Sequence, residues 1–223
     1  EASRPSTFMD LKSDMREQDA NEWWSNTVEI FKSLVEQAGH DIVKRIRGIS
    51  ISSHTVTMLP VDAEGNPLRN GITCQDSRSI EELHYIVETI GYDRFVKIVG
   101  GRPAVAFLPN KILWFKKHEP ELFAKTVCFL QASSFINYKL TAKMTMDIDQ
   151  ATRTQCMDIS TMEWSKEIGD VIGVDLDAML PKPRLVDEII GFVTEEAAEE
   201  TGLEEGIPVI AGCSDAMASM HAT

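Results

Sequence analysis

The sequence predicts an α/β fold, and three observations carry that reading. Segments with apolar residues at helical spacing alternate with short β-branched runs. Cap and stop residues bracket several of the helical segments. Two apolar runs, "ITCQD" and "VIAGCSD", end on an acid, Asp76 and Asp215. In open α/β sheets such strand ends face the ligand crevice.

The first element is a helix over 19–39. Asp19 and Glu22 have capping-box spacing, and Trp24, Val28, Phe31, Val35 and Ala38 form the apolar stripe. Gly39 is its stop, and Trp23 and Trp24 read as packing. "RIRGISISSHTVTMLPV" predicts two strands, or one long strand broken at "SSH". "DAEGNPL" is a turn, and strand residues resume at "GITCQD". "SIEELHYIVETIG" is a helix with Ser79 and Glu82 as capping box and Gly91 as stop. Residues 92–110 read as a Gly/Pro-rich connection, and 111–141 as helices broken near Pro120. Lys111 and Trp114 read as helix packing and surface. The stretch 146–164 is polar with no strong period. A short helix and loop follow, then "EEAAEETG" as a helix and "GIPVIAG" as a buried strand.

Composition bounds the function. The chain has 223 residues, 43% of them hydrophobic, enough for a sizeable core. The formal net charge of −13 repels nucleic acid. No apolar run approaches the roughly 18 residues of a membrane span, and the polar opening lacks a signal-peptide core. A cytoplasmic protein without a membrane partner is expected. Cys74, Cys128, Cys156 and Cys213 are far apart, as are the histidines, so no protein-only metal site is expected.

Taken alone, Asp76 and Asp215 could each be a general base, a metal ligand or a helix cap. The order of motifs narrows the choice. "EQDANEWW", "ISISSH…PVDAEGNPLRNGITCQDSR", "KILWFKKHEPELF", "YKLTAKMTMDIDQATRTQCMDISTMEW" and "TGLEEGIPVIAGCSD" occur in that sequence. Together they resemble the FGGY carbohydrate kinases over nearly the whole chain, with a xylulokinase-like branch nearest.

That resemblance implies an RNase H-like domain of the actin-like ATPase superfamily, with a mixed sheet flanked by helices. It divides the chain into residues 1–207, a sugar-binding domain, and residues 208–223, a hinge strand that opens a second domain. It implies transfer of the ATP γ-phosphoryl group to a hydroxyl of a ketose, sugar acid or polyol, with Mg²⁺. Asp215 matches the family's catalytic base. Asp76 matches the acid of its "W-x-D-x-R" segment at the sugar. Arg78 matches the arginine of that segment, as a sugar contact or as a structural pair to a nearby acid. His54 takes a glutamine position of the sugar site. It is either a hydroxyl partner or a satisfied strand-end histidine. Cys74 stands where the family has tryptophan, Val56 where xylulokinases have histidine, and Ala142 where the family has glycine.

The family's Asp-x-Gly-Thr phosphate loop does not occur in these residues. Without its hairpin, an open sheet edge and apolar surface are expected, favouring marginal stability or self-association, such as a homodimer. If these residues were the entire molecule, no ATP-dependent phosphorylation is expected. A non-catalytic sugar-binding or regulatory module is the competing function. A Rossmann dehydrogenase is disfavoured, because no Gly-x-Gly-x-x-Gly follows a strand.

Overall fold

A computed structural model describes residues 1–221. The last two residues of the expected hinge segment, 222–223, lie outside the described residues. A hairpin, β1 (Met9–Lys12) and β2 (Met15–Gln18), leads into α1 (Ala20–Ala38) and α2 (His40–Val43). The predicted break at "SSH" is real: β3 (Ile49–Ser53) and β4 (Leu59–Val61) are separate strands, followed by the short β5 (Gly71–Ile72). Then come α3 (Ile80–Ile90), α4 (Tyr92–Val99), α5 (Leu108–His118), α6 (Pro120–Phe123), β6 (Cys128–Leu130) and α7 (Ala132–Thr141). The next stretch comprises β7 (Met146–Asp147), α8 (Ile148–Arg153), β8 (Met157–Asp158), β9 (Glu163–Trp164), α9 (Lys166–Ile172) and α10 (Leu176–Met179). The chain continues through β10 (Pro183–Arg184), β11 (Ile189–Phe192), α11 (Glu195–Thr201), β12 (Pro208–Ser214) and α12 (Asp215–His221).

The α/β class and mixed sheet agree with expectation. β12 is the middle strand of the sheet β11-β12-β3, antiparallel to β11 and parallel to β3. The strand at 208–214 is therefore bonded on both sides to strands that precede it in sequence. β1, β2 and β5 form an antiparallel sheet, and β4 pairs with β6. Helix α7 packs on β3 and β12, with Asn137 Nδ2 donating to Ala211 O at 3.1 Å. One apolar cluster joins α1, α7, β4, β6 and β12. A second joins α3, α4, α5 and α9 with β8 and β9.

Several local expectations need correction. Residues 92–99 are helix, not connection: Gly91 (φ 86°) ends α3 and lets the chain re-enter α4 at once. Phe95, Ile98 and Val99 bury one face of that helix. Residues 128–130 are strand rather than helix, because pairing with β4 offers three buried residues backbone partners. The Asp19 cap forms, accepting from Asn21 N at 2.8 Å, but Glu22 turns away to Thr7 instead of completing the box. Ser79 makes no cap bond and accepts from Asn110 instead. An apolar groove beside β3, lined by Phe31, Val35, Ile46 and Ile49, lies at the edge of the sheet where β3 has no further strand among the described residues.

The register between β12 and β3 slips between Ile210 and Cys213, so Ala211 and Gly212 oppose Ile51 alone. Gly212 has φ 82°, and a Cβ there would lie 2.1 Å from Ile51 O. Gly212→Ala should therefore cost roughly 3 kcal/mol or more, from the clash and the left-handed backbone together. Gly206 has the same φ of 82° with open space around it, so Gly206→Ala should cost only about 1 kcal/mol. Urea melts of the two variants check the contrast.

Candidate functional site

A cavity of about 600 Å³ opens where the carboxyl ends of β3 and β12 meet the amino end of α7. Ser53, His54, Thr73, Cys74, Ser133 and Asp215 contribute polar lining, and Phe8, Trp23, Ile51 and Ile136 form an apolar wall. Trp23 packs as the sequence reads it, against the α1–α7 cluster with an edge contact to Phe135, and its ring also lines this cavity. Its neighbour Trp24 is the one in the core, with Nε1 donating to Glu200 at 2.9 Å. The Trp23 ring supplies an aromatic to the cavity that Cys74 also lines. Gly71 makes room for it, since a Cβ there would sit 2.9 Å from the Trp23 ring.

Asp215 is exposed at the first turn of α12. The cap of that helix is its neighbour: Ser214 Oγ accepts from Met217 N at 3.2 Å. The same hydroxyl donates to Asp149 Oδ2, and Ser214 N donates to that oxygen at 3.0 Å. Arg153 fixes the other oxygen of Asp149 at 2.9 Å. Asp215 Oδ1 accepts the adjacent N–H of Ala216, at 2.7 Å. Ser214 thus relieves the acid of the capping duty that its position suggests.

His54 lines the same cavity, and its Nε2 lies 2.9 Å from Thr57 Oγ1. Burial pushes it below the ordinary 6.5, with Asp215 pulling upward and Lys111 adding to the fall. The ring is therefore neutral at physiological pH and can both donate and accept.

Asp76 and Arg78 are placed differently, outside the residues that line the cavity. Asp76 is fully buried, accepting from Arg16 N at 2.6 Å and from Arg78 Nη2 at 2.7 Å. Arg78 also meets Glu17 at 2.8 Å and stacks over Trp114 at 4.9 Å. Glu17 continues to Arg69, which reaches Glu119. This buried ionic chain lies behind the wall formed by Thr73, Cys74 and Gln75. Of the sequence-named residues, His54 and Asp215 are brought together, and Asp76 with Arg78 forms a separate pair at their back.

Matching residues 1–221 to a family model decides what this cavity belongs to: the N-terminal domain of FGGY-type carbohydrate kinases. The chain belongs to the FGGY family. It is 31% identical to the xylulose kinase of Bacillus subtilis (strain 168) over 217 residues, 96% of this chain and 42% of the relative. It is also 31% identical to glycerol kinase 2 of Streptomyces coelicolor over 216 residues, 92% of this chain and 41% of the relative. The crystal structure of xylulose kinase from Rhodospirillum rubrum superposes with a TM-score of 0.92 at 25% identity, covering 97% of this chain and 45% of that one. This FGGY chain spans less than half the length of the curated relatives it matches. The actin-like ATPase fold expected from the motifs is thereby established.

Beside the end of β12, Asp147 caps α8 through Oδ1, while its Oδ2 has no hydrogen-bond partner among the described residues. Burial, and then the neighbouring Asp149 charge, push Asp147 up to about 6 from 3.8. A folded-state value above the unfolded one means that the folded chain holds the extra proton between those limits. Stability from this group is therefore present below pH 4 and lost as pH rises to about 6. Asp147→Asn should match wild type near pH 4 and exceed it by about 1–2 kcal/mol at pH 7.5. A stability difference that does not vary with pH would contradict this. Ser214→Ala should cost about 1–2 kcal/mol in chemical denaturation, from the lost cap and the lost bond to Asp149.

Proposed function

We propose that this chain forms the acceptor side of an ATP-dependent sugar kinase and that Asp215 is the general base for the sugar hydroxyl. The observation that carries the proposal is a carboxylate at a strand end, lining a cavity, with its capping role taken by Ser214. An alcohol is a weak nucleophile at neutral pH. A carboxylate within hydrogen-bond reach takes its proton as the new O–P bond forms. His54, neutral and facing the same space, orients a second hydroxyl. The Trp23 ring offers a flat surface to the C–H face of a small sugar. Asp76 and Arg78 act from behind, fixing the Thr73–Gln75 wall. A ketose such as xylulose, a sugar acid and a small polyol are the candidate acceptors, and the relatives named xylulose kinase support the first.

The phosphoryl donor in this reading is ATP with Mg²⁺. Among the described residues no three His, Cys, Asp or Glu side chains gather as a metal site. The part of these residues in this reading is binding, orientation and proton removal. No helix among the described residues is long and apolar enough to cross a membrane.

A thermal-shift panel of D-xylulose, glycerol and D-gluconate on the 223-residue chain tests binding separately from chemistry. At least one sugar should raise the melting temperature. In a longer protein that carries this domain and phosphorylates sugar, Asp215→Asn should leave that shift nearly intact and cut turnover about 10²–10⁴-fold. Unchanged turnover would remove Asp215 from the mechanism.

A further inference from the structure

Lys111 is a fully buried lysine that the mechanism above does not use. Its Nζ donates to Thr73 O at 2.7 Å, to Ala106 O at 2.6 Å and to Val56 O at 3.4 Å. Three carbonyls match the three N–H groups of an ammonium. They come from three separate segments. Thr73 is itself cavity lining and precedes Cys74 and Gln75. Val56 follows His54 by two residues, and the next residue, Thr57, gives its N–H to Gln131 Oε1 at 2.7 Å. Ala106 belongs to the connection that leads into α5. We propose that Lys111 is a positioning residue that sets the spacing between the His54 wall and the Thr73–Gln75 wall of the cavity.

A lysine that served only as packing would be replaced by methionine at little cost, or with a gain, because a buried charge is expensive. The strut reading gives the opposite result: methionine fills the space and takes the ammonium away from carbonyls of three segments, of which Thr73 O keeps the N–H of Asp76 at 3.2 Å. The groups that act on Lys111 electrostatically are Asp76, Cys74 and Arg78, and Lys111 in turn acts on His54. Burial pushes the ammonium down to about 7, so it loses its third donor within the working range of pH. His54 lies below 6.5 and does not titrate in the interval above 7.

The inference rests on the sugar reading only for its ligand, and two readouts keep them apart. The first is amide hydrogen exchange of the free chain at pH 6.5. Lys111→Met should exchange at least about tenfold faster at residues 55–58 and 72–75, with β12 and α11 unchanged. The second is D-xylulose affinity between pH 6 and 9. Wild type should weaken through a midpoint near 7, and Lys111→Met should be weak and flat throughout. If wild type binds none of D-xylulose, glycerol or D-gluconate, the sugar reading fails and exchange alone decides the strut. Exchange in Lys111→Met equal to wild type at both segments would overturn it. An increase spread evenly over the whole chain would also overturn it, since that is a general loss of stability.

Discussion

The site depends on how β12 ends. A strand that runs into a helix leaves N–H groups that need an acceptor, and an acid at that junction is the usual one. Here Ser214 meets the need, accepting from Met217 N while Asp149 holds its hydroxyl and backbone N–H. The bulge at Gly212 sets the turn of the chain just before this junction, in a space that admits no Cβ. Fold and chemistry meet in four consecutive residues, Gly212–Asp215. Gly212 is shaped for the backbone, Ser214 caps the helix, and Asp215 faces the cavity.

Behind the cavity the protein spends buried charge. Asp76, Arg78, Glu17 and Arg69 form a chain with little solvent access, and Lys111 stands beside it. Desolvating such groups costs several kcal/mol each, and well-packed apolar residues would serve stability as well or better. What ions give that apolar residues cannot is direction. Asp76 fixes the backbone at Arg16 and Arg78, and Lys111 gathers three carbonyls from three segments. Both sets converge on the Thr73–Gln75 wall.

The sequence made some of this legible and left other parts hidden for physical reasons. α1 and α11 were plain because periodic stripes and good caps coincide in them. β12 was plain because it is a short apolar run between turn residues. α4 was hidden because a glycine and a Gly/Pro-rich stretch flank it and tertiary burial of Phe95 and Ile98 holds it. β6 was hidden because three residues carry no periodicity and only their partner strand defines them. Motif order points to Asp215, which lines the cavity, whereas the cap on Ser214 required seeing Ser214 and Asp149 together, 65 residues apart. Lys111 packs inside α5, but its full burial was hidden because lysine in a helix pattern ordinarily reaches the surface. Arg78 was left between two readings, and the structure shows the ionic pair with Asp76.

The central claim is that Asp215, and not its capping neighbour or the buried Asp76, meets the reacting hydroxyl. A crystal structure of the chain with a bound sugar tests this most directly. The account predicts a sugar hydroxyl oxygen within hydrogen-bond distance of an Asp215 carboxylate oxygen, His54 on a second hydroxyl, and Ser214 still bonded to Asp149. A sugar seated in this cavity with Asp215 turned away to cap α12, or a sugar bound elsewhere on the domain, would contradict it.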